Sequence, residues 1–328
     1  TQSRSSAASD VYKRQKLHLV FSISIFFSCF CIYGQQGYWK NITKQSSMKS
    51  ASIKDMGKAK KVFSLDRQVF MDEMKAFGTS KSGKKVVYLP DGEGNIIPFT
   101  LKETPVLHPD LAKKYPNIKS YSGVSSNGKY KVKLSSSQNG LESMVINLKN
   151  HEQTFMEPVS NKTDAYVLYA KGAGLTSKDD FVCETKETLL TSKTIIPLVD
   201  DQVLRKYRIA VSATGEYTQD QGGTVADALA GINATITRIN EVFETDLSVT
   251  LELIANNDLL IFTNPATDPY GNNLNSEVQA TITSIIGEAN YDVGHLFHKV
   301  DNPEQNNGNA GFIGAVCVDN KKGSGFSA

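Results

Sequence analysis

The 328-residue sequence holds five histidines, and only His295 and His298, in "GHLFHK", stand close enough to act together. On a helix the i, i+3 spacing would aim both imidazoles at one metal ion. The flanking "YDVGHLFHKV" alternates as a strand does, and strand alternation sends the two rings to opposite faces. The reading is therefore a satisfied or surface pair, with metal binding the lesser alternative. Cys183 is a lone thiol in the polar run "CETKETLLTSKT". Zinc takes cysteine sulfur readily, so this thiolate is a candidate switch that caps a metal and holds a zymogen silent. A free or disulfide-bonded cysteine is the alternative. No G-x-S-x-G, P-loop, G-x-G-x-x-G after a strand or H-E-x-x-H occurs, so no local motif makes a complete active site.

The elements around these residues fall into two halves. Residues 62–170 read as β-rich and built from hairpins: "KVVYLP" and "IIPFTL" flank the turn "DGEGN", and "KYKVKLSSSQNGLESMVINL" turns at Asn139-Gly140. "HPDLAKKYPN" is a short helix closed by Pro116, and "DAYVLYAK" is a further strand. Residues 171–203 have the composition of a linker. From Leu204 the pattern changes to strand, long helix, strand, helix, strand, which indicates a sheet with crossover helices. In the long helix Val225, Ala228, Leu229, Ile232, Ile236, Ile239 and Phe243 recur at spacings of three and four, giving one apolar stripe. Thr224 is its expected N-cap, with Asp227 three residues on. "SVTLELI" and "DLLIF" read as strands, and "NSEVQATITSIIG" as a second helix.

Charge divides along the same line. Residues 1–203 carry 29 Lys and Arg against 19 Asp and Glu, whereas residues 204–328 carry 7 against 15. A basic front and an acidic rear suggest two units that attract each other, as a prosegment and its enzyme would; ordinary drift between domains is the alternative. Nucleic-acid binding is poorly supported, because the basic residues lie in a Ser-rich stretch without interleaved aromatics. Residues 16–34 have a basic start, a short apolar run and Gly34 before Gln35, the pattern of a signal peptide, so the protein is expected to be secreted. The run falls short of the roughly 20 apolar residues of a spanning helix, and no stable membrane span is expected after cleavage. A lipoprotein signal at Cys29 fits less well. Residues 1–15 read as non-native sequence and residues 35–61 as a flexible basic segment. Arg205-Lys206, at the domain boundary, reads equally as a processing site or as ordinary strand flanks. The sequons at Asn41, Asn161 and Asn233 are discounted, the last because it falls inside the long helix.

Several segments together resemble the reprolysin-like (adamalysin-like) zinc metallopeptidases of the metzincin class. They are "SATGEY", "RINEVFETDL" at the end of the long helix, "ANNDLLIFTN", "NYDVGHLF" and "GFIGAVCVDNKKGSGF". "ETPVLHPDLAKKYPNIKSYSG" is similar to the prosegment of the same exported enzymes, so the resemblance spans about 65–328. It implies an α+β protein: a β-rich prosegment followed by part of a metzincin-like catalytic domain, a mixed sheet with two long helices. It further implies a zinc cofactor and a protein or peptide substrate. In the family a helix bearing HExxHxxGxxH follows the segment around Cys317. Its histidines bind zinc and its glutamate activates the metal-bound water. That motif does not occur here, so the expectation is an N-terminal fragment, inactive alone, with no zinc ligand and no catalytic residue assignable.

The resemblance also implies a substrate edge, where an extended peptide adds to an antiparallel edge strand. Phe312, Ile313, Gly314 and Ala315 match it, with Gly314 allowing a close backbone approach or serving a turn. Cys317 matches a cysteine that pairs with one further on. No calcium is expected, since the first strand lacks the required glutamate. The competing reading is a secreted binding or inhibitory module that keeps the fold without catalysis.

Overall fold

The structure, a computed structural model, describes residues 37–42, 61–75, 83–160, 163–171, 202–300 and 308–328. The signal-like segment 16–34, Cys183 and nearly all of the linker 171–203 lie outside the described residues. Among the described residues no helix is long and apolar enough to cross a membrane.

The N-terminal half is one nine-stranded antiparallel sheet in the order β1-β2-β9-β8-β7-β6-β5-β4-β3. Its strands are Trp39–Asn41, Lys61–Leu65, Lys84–Pro90, Ile96–Glu103, Lys119–Ser125, Tyr130–Ser137, Gly140–Asn147, Gln153–Pro158 and Ala165–Ala170, β1 to β9 in chain order. The two expected hairpins are β3/β4 and β6/β7. In the first turn Asp91 Oδ1 accepts from the amides of Glu93 and Asn95 at 2.9 and 2.8 Å, and Gly94 sits at φ +75°. A carboxylate serving the backbone in this way explains why Asp starts the loop. Trp39–Asn41 departs from the flexible segment expected over 35–61. Trp39 packs edge-on against Phe63 and Tyr166, and its indole N–H donates to Tyr88 O at 2.9 Å. One buried aromatic with its polar handle satisfied outweighs the surrounding lysines.

The C-terminal half is a five-stranded mixed sheet in the order β11-β10-β12-β14-β13. Arg205–Ala213 (β10) pairs in parallel with Val249–Leu253 (β11) and Val293–Phe297 (β12), and β12 pairs in parallel with Gly325–Ser327 (β14). Gly308–Asn309 (β13) is the one antiparallel strand of this sheet. Alternation along β10 sets the layers. Ile209, Val211 and Ala213 face the long helix Val225–Asp246 and its stripe of Ala228, Leu229, Ile232 and Ile236. Ala210, one residue out of phase, faces Val278 and Ile282 of the second helix, Leu274–Ile286. The N-cap is as the sequence implies: Thr224 Oγ1 accepts from Asp227 N at 3.1 Å.

One expected strand is corrected. "DLLIF" is a 3₁₀ turn, Asn257–Leu260, with a single bridge from Ile261 to Ala213. The cause is Asn257, fully buried, whose carboxamide accepts from Val211 N at 2.8 Å and donates to Val211 O at 3.0 Å. That side chain satisfies the backbone of β10 where a strand would have paired. A second finding concerns the contact across the division at 170. Val106, Leu107, Leu111 and Ile118, from the N-terminal half, are buried in the same core as the long helix and β10.

The long helix is thus covered twice, by the C-terminal sheet on its apolar stripe and by β5–β8 on a polar face. There Asn233 Nδ2 donates to Ser135 Oγ at 2.8 Å, and Ser120 Oγ donates to Asn233 Oδ1 at 2.9 Å. Lys133 pairs with Glu244 at 2.7 Å and Lys131 with Glu241 at 2.6 Å. The opposed charges of the two halves meet here, except at Arg238, which reverses the pattern by pairing with Glu142 and Glu157 of the N-terminal sheet.

Candidate functional site

Parallel strands β10, β12 and β14 direct their C-terminal ends the same way, and β13 closes that side of the sheet as its edge. The loop 310–324 between β13 and β14 carries most of the residues singled out from the sequence. It is pinned at several points. Lys322, nearly buried, pairs with Asp319 at 2.6 Å, donates to Glu288 O at 2.7 Å and lies 4.8 Å from the Tyr291 ring centroid. Its ammonium stays charged because these carboxylates more than offset the desolvation that pulls its pKa down. Glu288 Oε1 accepts from Asn320 N at 3.1 Å and from Thr283 at 2.8 Å, which holds its carboxyl below the usual range despite partial desolvation. Gly323 N donates to Gln279 Oε1 at 2.7 Å, and Gly294 N donates to Lys322 O at 2.7 Å. A polar, lysine-rich turn that looks solvated in sequence is therefore a fixed part of the fold.

Within that loop Phe312, Ile313, Gly314 and Ala315 form a turn and not the expected edge strand. Gly311 and Gly314 take φ values of +73° and +72°, which break extended pairing at both ends. A Cβ at Gly314 would meet nothing within 4 Å in the chain itself, and its left-handed φ serves the turn. Phe312 and Ile313 are each 49% exposed, and the Lys321 ammonium lies 5.4 Å from the Phe312 ring centroid. Antiparallel pairing falls instead at Gly308–Asn309, opposite Ser327 and Phe326. Cys317 is exposed and unpaired among the described residues, with its amide donating to Asp292 O at 2.8 Å.

The histidines separate as strand alternation requires. His295 shares a hydrogen bond of 2.9 Å between its Nε2 and Ser327 Oγ, while His298 Nδ1 lies 3.3 Å from Thr214 Oγ1. His295 opens into a cavity of about 580 Å³ between the long helix and β10/β12, walled chiefly by Ile236, Phe243, Ile209, Val293 and Phe297. Desolvation by these walls lowers its pKa to about 4, so the imidazole is neutral near pH 7. A neutral imidazole beside one serine hydroxyl, in an otherwise mostly apolar wall, is a packing arrangement and supplies no assembled nucleophile. Among the described residues no group of three or more His, Cys, Asp or Glu side chains could hold a metal ion, so these residues do not fit a zinc site.

Beneath the loop, Arg208 fixes the register of β10 on β12. Its guanidinium donates to Asp292 Oδ1 at 2.7 Å, and its backbone amide donates to Asp292 Oδ2 at 2.7 Å. Hydrogen bonds from Arg208 hold the Asp292 carboxyl below the ordinary carboxylate range. Neither partner stands out in sequence, because Arg208 is on β10 and Asp292 lies 84 residues on, just before β12.

A fold with a mixed five-stranded sheet, a long backing helix and a single antiparallel edge is of the α+β metzincin-like kind. Residues 203–328 match the model of the reprolysin-like metallo-peptidase family M12B, a stretch running from just before β10 through β14 and covering less than half of the chain. The resemblance read from the segments between "SATGEY" and "KKGSGF" is thereby borne out for this half. No curated protein matches the chain.

Proposed function

We propose that residues 203–328 belong to the catalytic domain of an exported, zinc-dependent endopeptidase precursor, with residues 62–170 as its prosegment. The supporting observation is the sheet itself: over the matched residues it has four parallel strands and one antiparallel edge strand, β13, to which an extended peptide can add. On this reading the substrate edge is Gly308–Asn309, and Phe312–Ala315 form the turn beside it. The metal would supply a polarised water for amide hydrolysis. Its ligands would come from an HExxHxxGxxH segment C-terminal to Ala328, and no step is assigned to a residue of this chain. Export rests on the signal-like residues 16–34, and the switch role of Cys183 on the Cys–zinc affinity noted above.

The test extends the polypeptide with the coding sequence that follows Ala328. The longer protein should bind zinc and cleave casein in a chelator-sensitive way, while the present polypeptide with zinc should not. An extension without the motif, or a zinc-free inert product, would overturn the enzyme reading in favour of a secreted non-catalytic module. Chelator-sensitive cleavage by residues 1–328 alone would overturn the inactivity.

A further inference from the structure

The sheet's two ends are treated differently. At the β11 end, the extended segment Val106–His108 of the N-terminal half adds to the edge: Leu253 N donates to Val106 O at 2.8 Å, and His108 N donates to Leu253 O at 2.9 Å. Leu107 bridges Leu253 in parallel, and the short helix Pro109–Lys114 that follows lowers Leu111, fully buried, into the core between β10 and the long helix. Lys114 then pairs with Asp258 at 3.1 Å. A second contact joins β5–β8 to the long helix through Ser120, Ser135, Lys133 and their partners Asn233 and Glu244. Strand addition, an apolar anchor and a buried polar network are three different interactions on one continuous surface. The strand addition lies at the β11 edge, the opposite end of the sheet from β13, and the polar network lies on the long helix.

We infer that the N-terminal unit, residues 37–171, is a clamp on the β11 edge and the long helix, and that it stays bound as a separate polypeptide when the chain is cut between residues 172 and 201. The anchor is Leu107 with Leu111, because these two buried apolar side chains sit in the core of the C-terminal half and a few fully buried residues carry most of the energy of an interface. Binding at the β11 end means that the clamp need not leave for a peptide to reach β13. The inference rests on the proposed function only where it takes β13 as the edge that a peptide reaches. Its assay reads association and not hydrolysis, so a chain whose extended form proves inert would still be expected to hold together.

A recognition sequence for a site-specific protease is placed between Thr176 and Ser177 of the full chain, and the purified protein is cut to completion. Size-exclusion chromatography at micromolar concentration should return both pieces in one peak at the volume of the uncut chain. Two separate peaks would overturn the inference. In a parallel Leu111→Ala chain, the dissociation constant of the cut pair, read by dilution, should rise about tenfold or more. An unchanged constant would overturn the anchor assignment. The wild-type cut decides the main question without any substitution, so a variant that misfolds leaves it answered.

Discussion

Replacing Arg238 by methionine tests the polar seam between the two halves. Arg238 Nη2 lies 2.9 Å from Glu142 Oε2, its Nη1 lies 2.8 Å from Glu157 Oε1, and its guanidinium carbon sits 5.4 Å from the Phe155 ring centroid. Methionine keeps much of the contact with Phe155 but leaves two carboxylates facing each other without a cation. Charge-assisted hydrogen bonds contribute about 1.5–3 kcal/mol each when desolvated. The side chains here keep 24% and 31% of their surface, so solvent screening brings the pair down to roughly 3 kcal/mol together. Arg238 Nε is buried without a hydrogen-bond partner, and removing it returns about 1 kcal/mol. The expected net loss is about 2 kcal/mol at pH 8, or a fall in Tm of about 4–8 °C.

The loss should depend on pH in a defined direction. Burial raises the Glu142 pKa above the ordinary value, Glu157 adds to the rise, and Arg238 opposes it. Without Arg238 the rise is larger, so the folded variant binds protons that its unfolded chain has released. Its stability therefore drops, relative to wild type, as pH climbs from about 4.3, where the unfolded carboxylate titrates, through the raised pKa of the folded variant. Urea unfolding at pH 4.5 and pH 8 should show a small difference at the lower value and the full difference at the higher. Equal losses at both pH values, or no loss at pH 8, would refute the reasoning.

Asn257→Ala should cost about 2–4 kcal/mol in urea unfolding, since it leaves the buried N–H and C=O of Val211 without partners, and a loss under about 0.5 kcal/mol would remove Asn257 as the reason that no strand forms there. His295, with its pKa lowered to about 4, stabilises the fold fully above about pH 6.5 and loses that contribution as pH falls towards 4, because only the unfolded chain takes up the proton. Allowing for its residual exposure, wild type should lose about 1 kcal/mol more than His295→Leu between pH 7 and pH 5.5. Parallel stability curves for the two proteins would contradict a desolvated imidazole.

Legibility in the sequence followed the range of the interaction that fixes each element. The long helix was readable because its cap, Thr224 to Asp227, and its apolar stripe are local, and the hairpin at Asp91 was readable because one carboxylate organises its own turn. "DLLIF" misled because its fate depends on Asn257 reaching Val211 across the fold. Phe312–Ala315 misled because strand-like composition says nothing of two left-handed glycines and of a loop pinned by Lys322 to Glu288 and Asp319. The charge division between the halves is matched by the pairs Lys131–Glu241 and Lys133–Glu244 and runs the other way at Arg238. For the candidate site, the sequence led to the loop beside the antiparallel edge, and the pairing itself falls at Gly308–Asn309.

The sequence by itself determined the family resemblance of residues 203–328, the hairpins, the two helices and the opposition of charge between the halves. These depend on periodicity and on contacts a few residues apart, which composition and spacing record directly. Only the tertiary structure decided which segment forms the antiparallel edge, that the two histidines serve different partners, and that Leu107 and Leu111 belong to the core of the C-terminal half. A leucine in a short helix carries the same apolar surface whichever core it enters. Its destination is set by the backbone pairing of Val106 and His108 with Leu253, across more than a hundred residues of chain, and no local pattern encodes that distance.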